Sequence, residues 1–399
     1  MHDRYLPLFI NMQHRPIELL VSTKMCCGCS ACVQRCPQEC ISLCEDNEGF
    51  LYPTINKDVC IDCGLCDRVC PVLNKSQQHE PIAVYASISK DEKIRMQSSS
   101  GGIFSLLAEQ VINAGGVVFG ARFDEHWQVK IDYTESINGI AAFRGSKYVQ
   151  ARVGNSFRQA EIFLQQGKKV FFTGTPCQIA GLKNFLRKEY TNLLTADCAC
   201  YGVPTPKVWE RYLQESVGNS SKQDISSISF RDKVTGWKNY SFTIYRRNSL
   251  LIRQSRYENV YMRAFSLFLR PSCYKCRMKG LCSMADFTLA DFWGITELSS
   301  QMDDDKGTGL VIVHTDKGKE AYPKELTISE SYSFNKAAKR NGGLTTCPTP
   351  HPKRALFFSE LDKTPNLDSL IQRMQARSLL KMLRDKIWWT WHKFYKEMK

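Results

Sequence analysis

The sequence predicts a mixed α/β body, preceded by a small cysteine-rich α+β unit and followed by an amphipathic helix. Three observations lead there: a cysteine motif that occurs twice near the start, strand-like and helix-like stretches alternating through the middle, and an apolar stripe with basic flanks at the end. With 399 residues, 43% hydrophobic and 24% charged, the chain has the balance of a globular protein with two or three domains. A mainly disordered chain is excluded. The expected units are an extension over 1–20, the cysteine-rich unit over 21–75, the α/β body over 81–355 and a helical tail over 365–399.

The front of the chain carries the strongest signal. Cys26-x2-Cys29-x2-Cys32-x3-Cys36-Pro37 returns as Cys60-x2-Cys63-x2-Cys66-x3-Cys70-Pro71. Three closely spaced cysteines offer thiolates to three irons of one cubane, and the fourth, ahead of proline, serves the other cluster. Crossed ligation assigns Cys26, Cys29, Cys32 and Cys70 to one [4Fe–4S] cluster, and Cys60, Cys63, Cys66 and Cys36 to a second. Each fourth cysteine is expected to start a helix that points towards the other cluster. Zinc also takes four thiolates, but the doubled pattern with both prolines is the iron–sulfur signature. Between the repeats, residues 41–43 and 50–52 read as short strands around Asn47-Glu48-Gly49, the plan of a dicluster ferredoxin. Cys27, Cys40 and Cys44 fall outside the code. The four-residue spacing of Cys36, Cys40 and Cys44 predicts packing on one helix face.

In a secreted protein 18 cysteines would spell disulfides, but the apolar segment 6–10 is too short for a secretory leader and contains Pro7. The thiols are expected in a reducing cytoplasm, where such spacing means metal or redox chemistry. No run of about 18 apolar residues predicts a transmembrane helix. The net charge of +14 is uneven: residues 1–80 hold 7 Lys/Arg and 10 Asp/Glu, giving −3, so the rest carries +17. A basic body invites acidic partners, whether nucleic acid, anionic lipid, a phosphorylated cofactor or an acidic protein.

The polar stretch 74–81 ends in proline and marks a boundary. Beyond it, 82–88, 117–121, 129–133 and 169–173 read as strands, and 103–111, 156–165 and 178–186 as helices, an α/β organisation. Two strand-to-helix junctions matter. Ser98-Ser99-Ser100-Gly101-Gly102 is either a phosphate cradle at a helix N-terminus or a capped turn. At Gly174-Thr175-Pro176-Cys177-Gln178, the positive helix end favours a Cys177 thiolate, as nucleophile or metal ligand; a buried inert thiol is the alternative. No Gly-x-Gly-x-x-Gly fingerprint or P-loop occurs.

The run Thr173-Gly174-Thr175-Pro176-Cys177-Gln178-Ile179-Ala180-Gly181-Leu182 resembles the coenzyme F420 hydrogenase/dehydrogenase beta-subunit family. So do Gly145-Ser146-Lys147-Tyr148, Arg270-Pro271-Ser272-Cys273-Tyr274-Lys275-Cys276 and Ala285-Asp286-Phe287-Thr288-Leu289-Ala290-Asp291-Phe292-Trp293-Gly294. With the dicluster ferredoxin unit, the resemblance covers about residues 24–355 and is to bacterial fused members often associated with surface-polysaccharide genes. It implies a mixed α/β flavin-binding domain. It also implies a third [4Fe–4S] cluster on Cys177, Cys200, Cys273 and Cys276, with Cys198 a competitor and Cys282 a zinc-like alternative beside the Cys273/Cys276 pair. Cys347 is expected to have no companion. Tyr201 stands where the family usually has histidine. The resemblance places FAD against Ser100, Gly101, Gly102, Lys147, Tyr148 and Thr175; by themselves, Lys147 and Tyr148 read as a surface lysine and a core tyrosine.

Leu380, Leu383, Ile387, Trp391, Phe394 and Met398 recur at helical intervals among basic residues. Such a helix suits an anionic membrane surface or protein docking, and the broad face given by Trp388 and Trp389 favours docking. The resulting expectation is a cytoplasmic flavin/iron–sulfur oxidoreductase, with peripheral attachment to the inner face of the membrane as one possibility. It would pass electrons between a hydride carrier (coenzyme F420 or a substitute), FAD and the clusters, with a redox partner protein. The alternative is a non-catalytic electron-transfer or redox-sensing module without F420. Nucleic acid ranks last, since no reading motif accompanies the lysines. Three cubanes predict about 12 irons per chain and two predict about eight. Replacing Cys273 should remove one cluster's irons and leave the N-terminal pair, as iron analysis of anaerobically prepared protein will read.

Overall fold

The computed structural model describes residues 16–376. After α1 (Pro16–Ser22), the cysteine repeats contribute two short helices, α2 (Ala31–Arg35) and α3 (Leu65–Arg68), on either side of a hairpin of β1 (Ile41–Glu45) and β2 (Leu51–Ile55). Asp46 closes the hairpin turn by accepting from the amides of Glu48 and Phe50 at 3.1 and 3.0 Å. The fourth cysteines do not start helices. Cys36 caps the end of α2 in an extended conformation, with φ −66° and ψ 117°, and Cys70 follows α3. The proline after each favours extended geometry at the cysteine itself, and turns at residues 37–38 and 71–73 follow in place of helices. Cys36, Cys40 and Cys44 share no helix face: Cys40 precedes β1 and Cys44 lies exposed on that strand.

The body begins with β3 (Ala83–Ser89), α4 (Glu92–Met96), α5 (Ile103–Asn113), β4 (Val117–Phe123) and β5 (Val129–Thr134). It continues through α6 (Ser156–Gln165), β6 (Val170–Gly174), α7 (Pro176–Leu186), β7 (Leu193–Cys198) and α8 (Pro206–Val217). Next come β8 (Ile225–Asp232), β9 (Ser241–Arg246), β10 (Ser249–Ser255) and α9 (Val260–Arg263). The last elements before residue 350 are β11 (Phe287–Asp291), β12 (Gly309–Val313), α10 (Asp316–Ala321), β13 (Thr327–Ser331), α11 (Phe334–Ala338) and α12 (Gly342–Thr345). Eight strands form one mixed sheet in the order β13-β3-β12-β11-β7-β6-β4-β5, and β10-β9-β8 form a small antiparallel sheet.

Strands β4, β6, β7 and β11 run parallel, so their C-terminal ends share one edge of the large sheet. Ligands in open α/β sheets bind along that edge. Both faces of the sheet are covered, which is why β4 and β6 open on the buried apolar runs Val117–Phe119 and Val170–Phe172. Val117, Phe119, Val170 and Phe172 pack with Phe157 of α6 and with Ile179, Leu182 and Phe185 of α7. Val118 and Phe171 face α5, where Ile103, Leu106, Leu107 and Val111 are buried.

The cysteine-rich unit shares this core. Cys29, Ala31 and Val69 belong to the same apolar cluster as Phe157 and Ile179. A Cβ on Gly181 of α7 would stand 3.0 Å from both Cβ and Sγ of Cys29, so the helix meets the first cysteine loop with nothing between. Gln34 Oε1 accepts from the amides of Phe157 and Arg158 at the start of α6 (2.9 and 3.2 Å). Thr205, before α8, donates to the carbonyl of Glu48 in the hairpin turn at 2.5 Å. The polar stretch after the second repeat is strapped down as well: Ser76, Gln78 and His79 bond the backbone of residues 280–283. The described residues up to Pro350 make one compact unit, and those from His351 make a second.

The second unit contains α13 (Arg354–Leu361) and α14 (Leu367–Gln375); α14 buries Leu367, Leu370, Ile371 and Met374. The predicted stripe from Leu380 to Met398 lies outside the described residues. Among the described residues no helix is long and apolar enough to cross a membrane.

Gly101 shows how tightly the serine–glycine run is built in. A Cβ there would stand 2.1 Å from the Ser87 carbonyl oxygen and 2.7 Å from the Gly309 amide, forcing β3 and β12 away from the turn. Gly101→Ala is expected to destabilise the protein by about 1–3 kcal/mol, read as a lower urea midpoint with an unchanged slope.

Candidate metal centres

Three groups of cysteines gather. In the first, Cys26, Cys29, Cys32 and Cys70 come together from the two repeats. Burial, followed by the charges of Cys26 and Cys70, holds the Cys32 thiol well above its ordinary range. Burial also pushes Cys70 up to about 11, with Cys26 among the charged neighbours that raise it. Gly28 turns the loop at φ +72° and directs its amide at Cys26 Sγ, 3.4 Å away.

The second group lines a cavity of about 310 Å³: Cys36, Cys60, Cys63 and Cys66, with Cys40 added. Cys40 Sγ lies 3.4 Å from Cys36 Sγ. Burial and then the Cys36 and Cys60 thiols push Cys40 up to about 12. The position read from sequence as helix packing is therefore a fifth thiol on this cavity. Spacing alone gave no hint of it, because the chain reverses after Pro37.

The third group opens on the sheet edge. Cys177 sits in the first turn of α7, after β6, and Cys200 follows the neighbouring β7. Cys273 and Cys276 come from a short helical turn, Pro271–Lys275, fixed by the Arg270 amide donating to the Val203 carbonyl at 2.9 Å. All four line a cavity of about 960 Å³, together with Cys27 and Cys198. Cys282 is buried outside that lining and contacts the Gly280 carbonyl. Cys347 does have a companion: its Sγ approaches the carbonyl of Cys276 at 3.6 Å. Lys279 donates to the carbonyls of Cys200 and Gly343 behind the cavity.

The structure bears on the open question at Cys177. The thiol is held well above its ordinary range, first by hydrogen bonding to the Cys27 thiol and then by burial, while Thr175 and Arg270 pull the other way. Burial and a neighbouring thiol thus outweigh the helix end. A thiol so hard to ionise alone makes a poor free nucleophile, whereas a coordinated metal deprotonates it outright. Among the described residues, no three His, Cys, Asp or Glu side chains converge as a site for one metal ion. The thiols instead surround spaces, and a cubane's thiolates each stand on a separate iron.

Polar groups form one wall of the third cavity. Asp197 accepts from Thr288 and Ser283 at 2.5 and 2.6 Å, and Thr288 meets His314 Nε2 at 2.9 Å. Burial raises Asp197 to about 6, against the pull of those hydroxyls, and lowers His314 to about 4.

The residues expected to contact flavin all have internal partners. Ser100 Oγ donates to the Thr308 carbonyl at 2.7 Å, and Gly102 starts α5 at φ 92°. Ser99 Oγ accepts from the Ser146 amide, bringing the serine run against Lys147 and Tyr148. Lys147 Nζ donates to the carbonyls of Ala142 and Arg144, both at 2.8 Å. The Tyr148 hydroxyl accepts from Arg231, which itself forks onto Asp291 at 2.7 and 3.0 Å. Thr175 donates its amide to Gln178 and places its hydroxyl 3.2 Å from Cys177 Sγ, beside the third cavity. Asp291 lies in one of the runs that carry the resemblance, but Arg231 has no signal in the sequence and their pairing joins strands far apart in the chain.

Residues 167–330, which contain all four proposed third-site cysteines, match the family described as the C terminus of the coenzyme F420 hydrogenase/dehydrogenase beta subunit. This stretch is similar to that beta-subunit domain. The F subunit of the F(420)H(2) dehydrogenase of Methanosarcina mazei is 25% identical over 171 residues, 41% of this chain and 49% of that one. The A subunit of the H(2):CoB-CoM heterodisulfide,ferredoxin reductase of Methanothermobacter marburgensis is 28% identical over 146 residues, 30% of this chain and 22% of that one. A 7Fe ferredoxin of Hydrogenibacillus schlegelii is 46% identical over 54 residues, 13% of this chain and 63% of the ferredoxin. The chain therefore joins a ferredoxin-like front to a beta-subunit-like domain, and spans about half the length of the dehydrogenase subunit it matches. A chain of the F420-reducing [NiFe] hydrogenase complex of Methanosarcina barkeri aligns over 74% of this chain and 91% of its own. Identity is 16% and the TM-score 0.45, too distant to carry weight.

Burial, then Arg122, lowers Lys147 from 10.5 to about 7. Between those values the unfolded chain holds more protons than the folded one, so this lysine makes stability rise with pH across that window. Lys147→Met should remove the rise, so urea denaturation at several pH values will show the wild type gaining on the variant as pH climbs. An anion bound at Lys147, such as a flavin pyrophosphate, would raise its pKa and flatten the difference.

Proposed function

We propose that the chain is an iron–sulfur oxidoreductase subunit with three [4Fe–4S] clusters. Cys26, Cys29, Cys32 and Cys70 would hold the first, Cys36, Cys60, Cys63 and Cys66 the second, and Cys177, Cys200, Cys273 and Cys276 the third. The carrying observation is the 960 Å³ cavity at the ends of β6 and β7, on which four cysteines from three distant segments converge. When bound, such clusters hold and pass single electrons. The chain's own part is to supply thiols, bury them and keep the three sites in one rigid core.

The finer reading adds FAD beside Ser100, Gly101, Gly102, Lys147, Tyr148 and Thr175, and coenzyme F420 or another hydride carrier as substrate. Its support is the beta-subunit domain and the name of the M. mazei relative. The desolvated ammonium of Lys147 suits an anion. A protein partner fits relatives named as subunits, and a cytoplasmic setting fits so many thiols. Membrane attachment follows from the amphipathic pattern of the tail, and service to a polysaccharide pathway from the family resemblance. The second reading, an electron-transfer or redox-sensing module without F420, draws support from the internal hydrogen bonds that already occupy Ser100, Lys147 and Tyr148.

Anaerobic purification with iron and flavin analysis tests the proposal. The expected result is about 12 irons per chain, with flavin released on denaturation and visible absorbance bleached by reduced F420. Bleaching by dithionite but not by any hydride donor, with no flavin, favours the module. Protein that carries zinc in place of iron overturns both readings.

A further inference from the structure

Arg270 is fully buried and ends in the seam between the front and the body. Its Nε donates to the Cys26 carbonyl at 2.7 Å, Nη2 to the Leu51 carbonyl at 2.9 Å and Nη1 to Gln150 Oε1 at 3.1 Å. The guanidinium lies over the rings of Tyr52 and Phe50, at 4.3 and 5.2 Å. Every one of these partners is neutral, and among the described residues no carboxylate pairs with it. A buried cation without a counter-charge is strongly unfavourable. An uncharged side chain would clamp the same carbonyls without that penalty, so the charge itself calls for an anion nearby.

Two cysteine sites flank it. Arg270 bonds the backbone of Cys26, and a Cβ on Gly28 would stand 2.9 Å from Nη1, so the glycine admits the guanidinium to the first loop. On the other side Arg270 precedes Cys273 by three residues, and its charge reaches both Cys273 and Cys177. The two sites also touch directly. Cys177 and Gly181, one turn apart on α7, meet Cys27 and Cys29 respectively.

We propose that Arg270 is the shared counter-charge of the first and third cysteine sites, setting the reduction potentials of both and coupling them. The inference rests on reading those cysteines as cluster ligands. Thiolate-bound clusters are anionic and gain negative charge on reduction, so a fixed cation between them favours the reduced state of each. Reducing either partly neutralises that cation and makes the other harder to reduce. The second site lies beyond the first and should feel little of it.

Potentiometric titration of the full-length, cluster-loaded protein followed by electron paramagnetic resonance tests this. Arg270→Gln should lower the potentials of the first and third clusters by about tenfold in the reduction equilibrium, about 59 mV for one electron, and leave the second in place. Arg270→Lys should restore most of the shift. Gln150→Glu keeps the clamp but sets a carboxylate against the guanidinium, and should move the same two potentials down even where Arg270→Gln fails to hold its iron. Unchanged potentials in Gln150→Glu with full iron content, or an equal shift of all three clusters, overturns the inference. A wild-type protein with no reducible cluster overturns the ligand reading instead.

Discussion

The structure depends on the direct packing of the first cysteine loop against α7. Cys29 rests on Gly181 with no room for a side chain, and Ala31 and Val69 complete the apolar cluster that holds α6 and α7 to the sheet. Burying that surface removes the front unit's independence: its hydrophobic face is the face of the body. A unit of about fifty residues is marginal on its own. Here the shared core does what a ferredoxin otherwise asks of its clusters.

That packing places thiols where water is scarce. Burial raises Cys32, Cys70, Cys200, Cys273 and Cys276 above the ordinary thiol range. Neutral thiols tolerate the environment, and metals, which take thiolates, are bound there at little competition from solvent. The same dryness makes each added charge matter. Arg270 and Asp197 are buried and Lys147 half-buried, all near proposed cofactor positions, and desolvation shifts the last two named strongly.

Much of this was legible in the sequence because the signals were local. The doubled cysteine code, the hairpin around Asn47, helix α6 at 156–165 and the strands at 117, 129 and 170 depend on neighbours a few residues apart. What escaped depended on contacts between distant segments. Cys27 and Cys40 read as bystanders, yet they line the third and second cavities. Cys347 seemed solitary until the chain returned it to Cys276. The helix expected after each fourth cysteine is a turn instead, at residues 37–38 and 71–73, although proline suits a first helical position and opens α7 and α8.

The strap formed by Ser76, Gln78 and His79 against residues 280–283, together with the hairpin turn held by Thr205, closes off one style of electron delivery. A ferredoxin on a loose tether can swing between docking places and carry charge by diffusion. The front unit is bolted at both ends like a fixed socket, so under the proposed function an electron courier must travel to it.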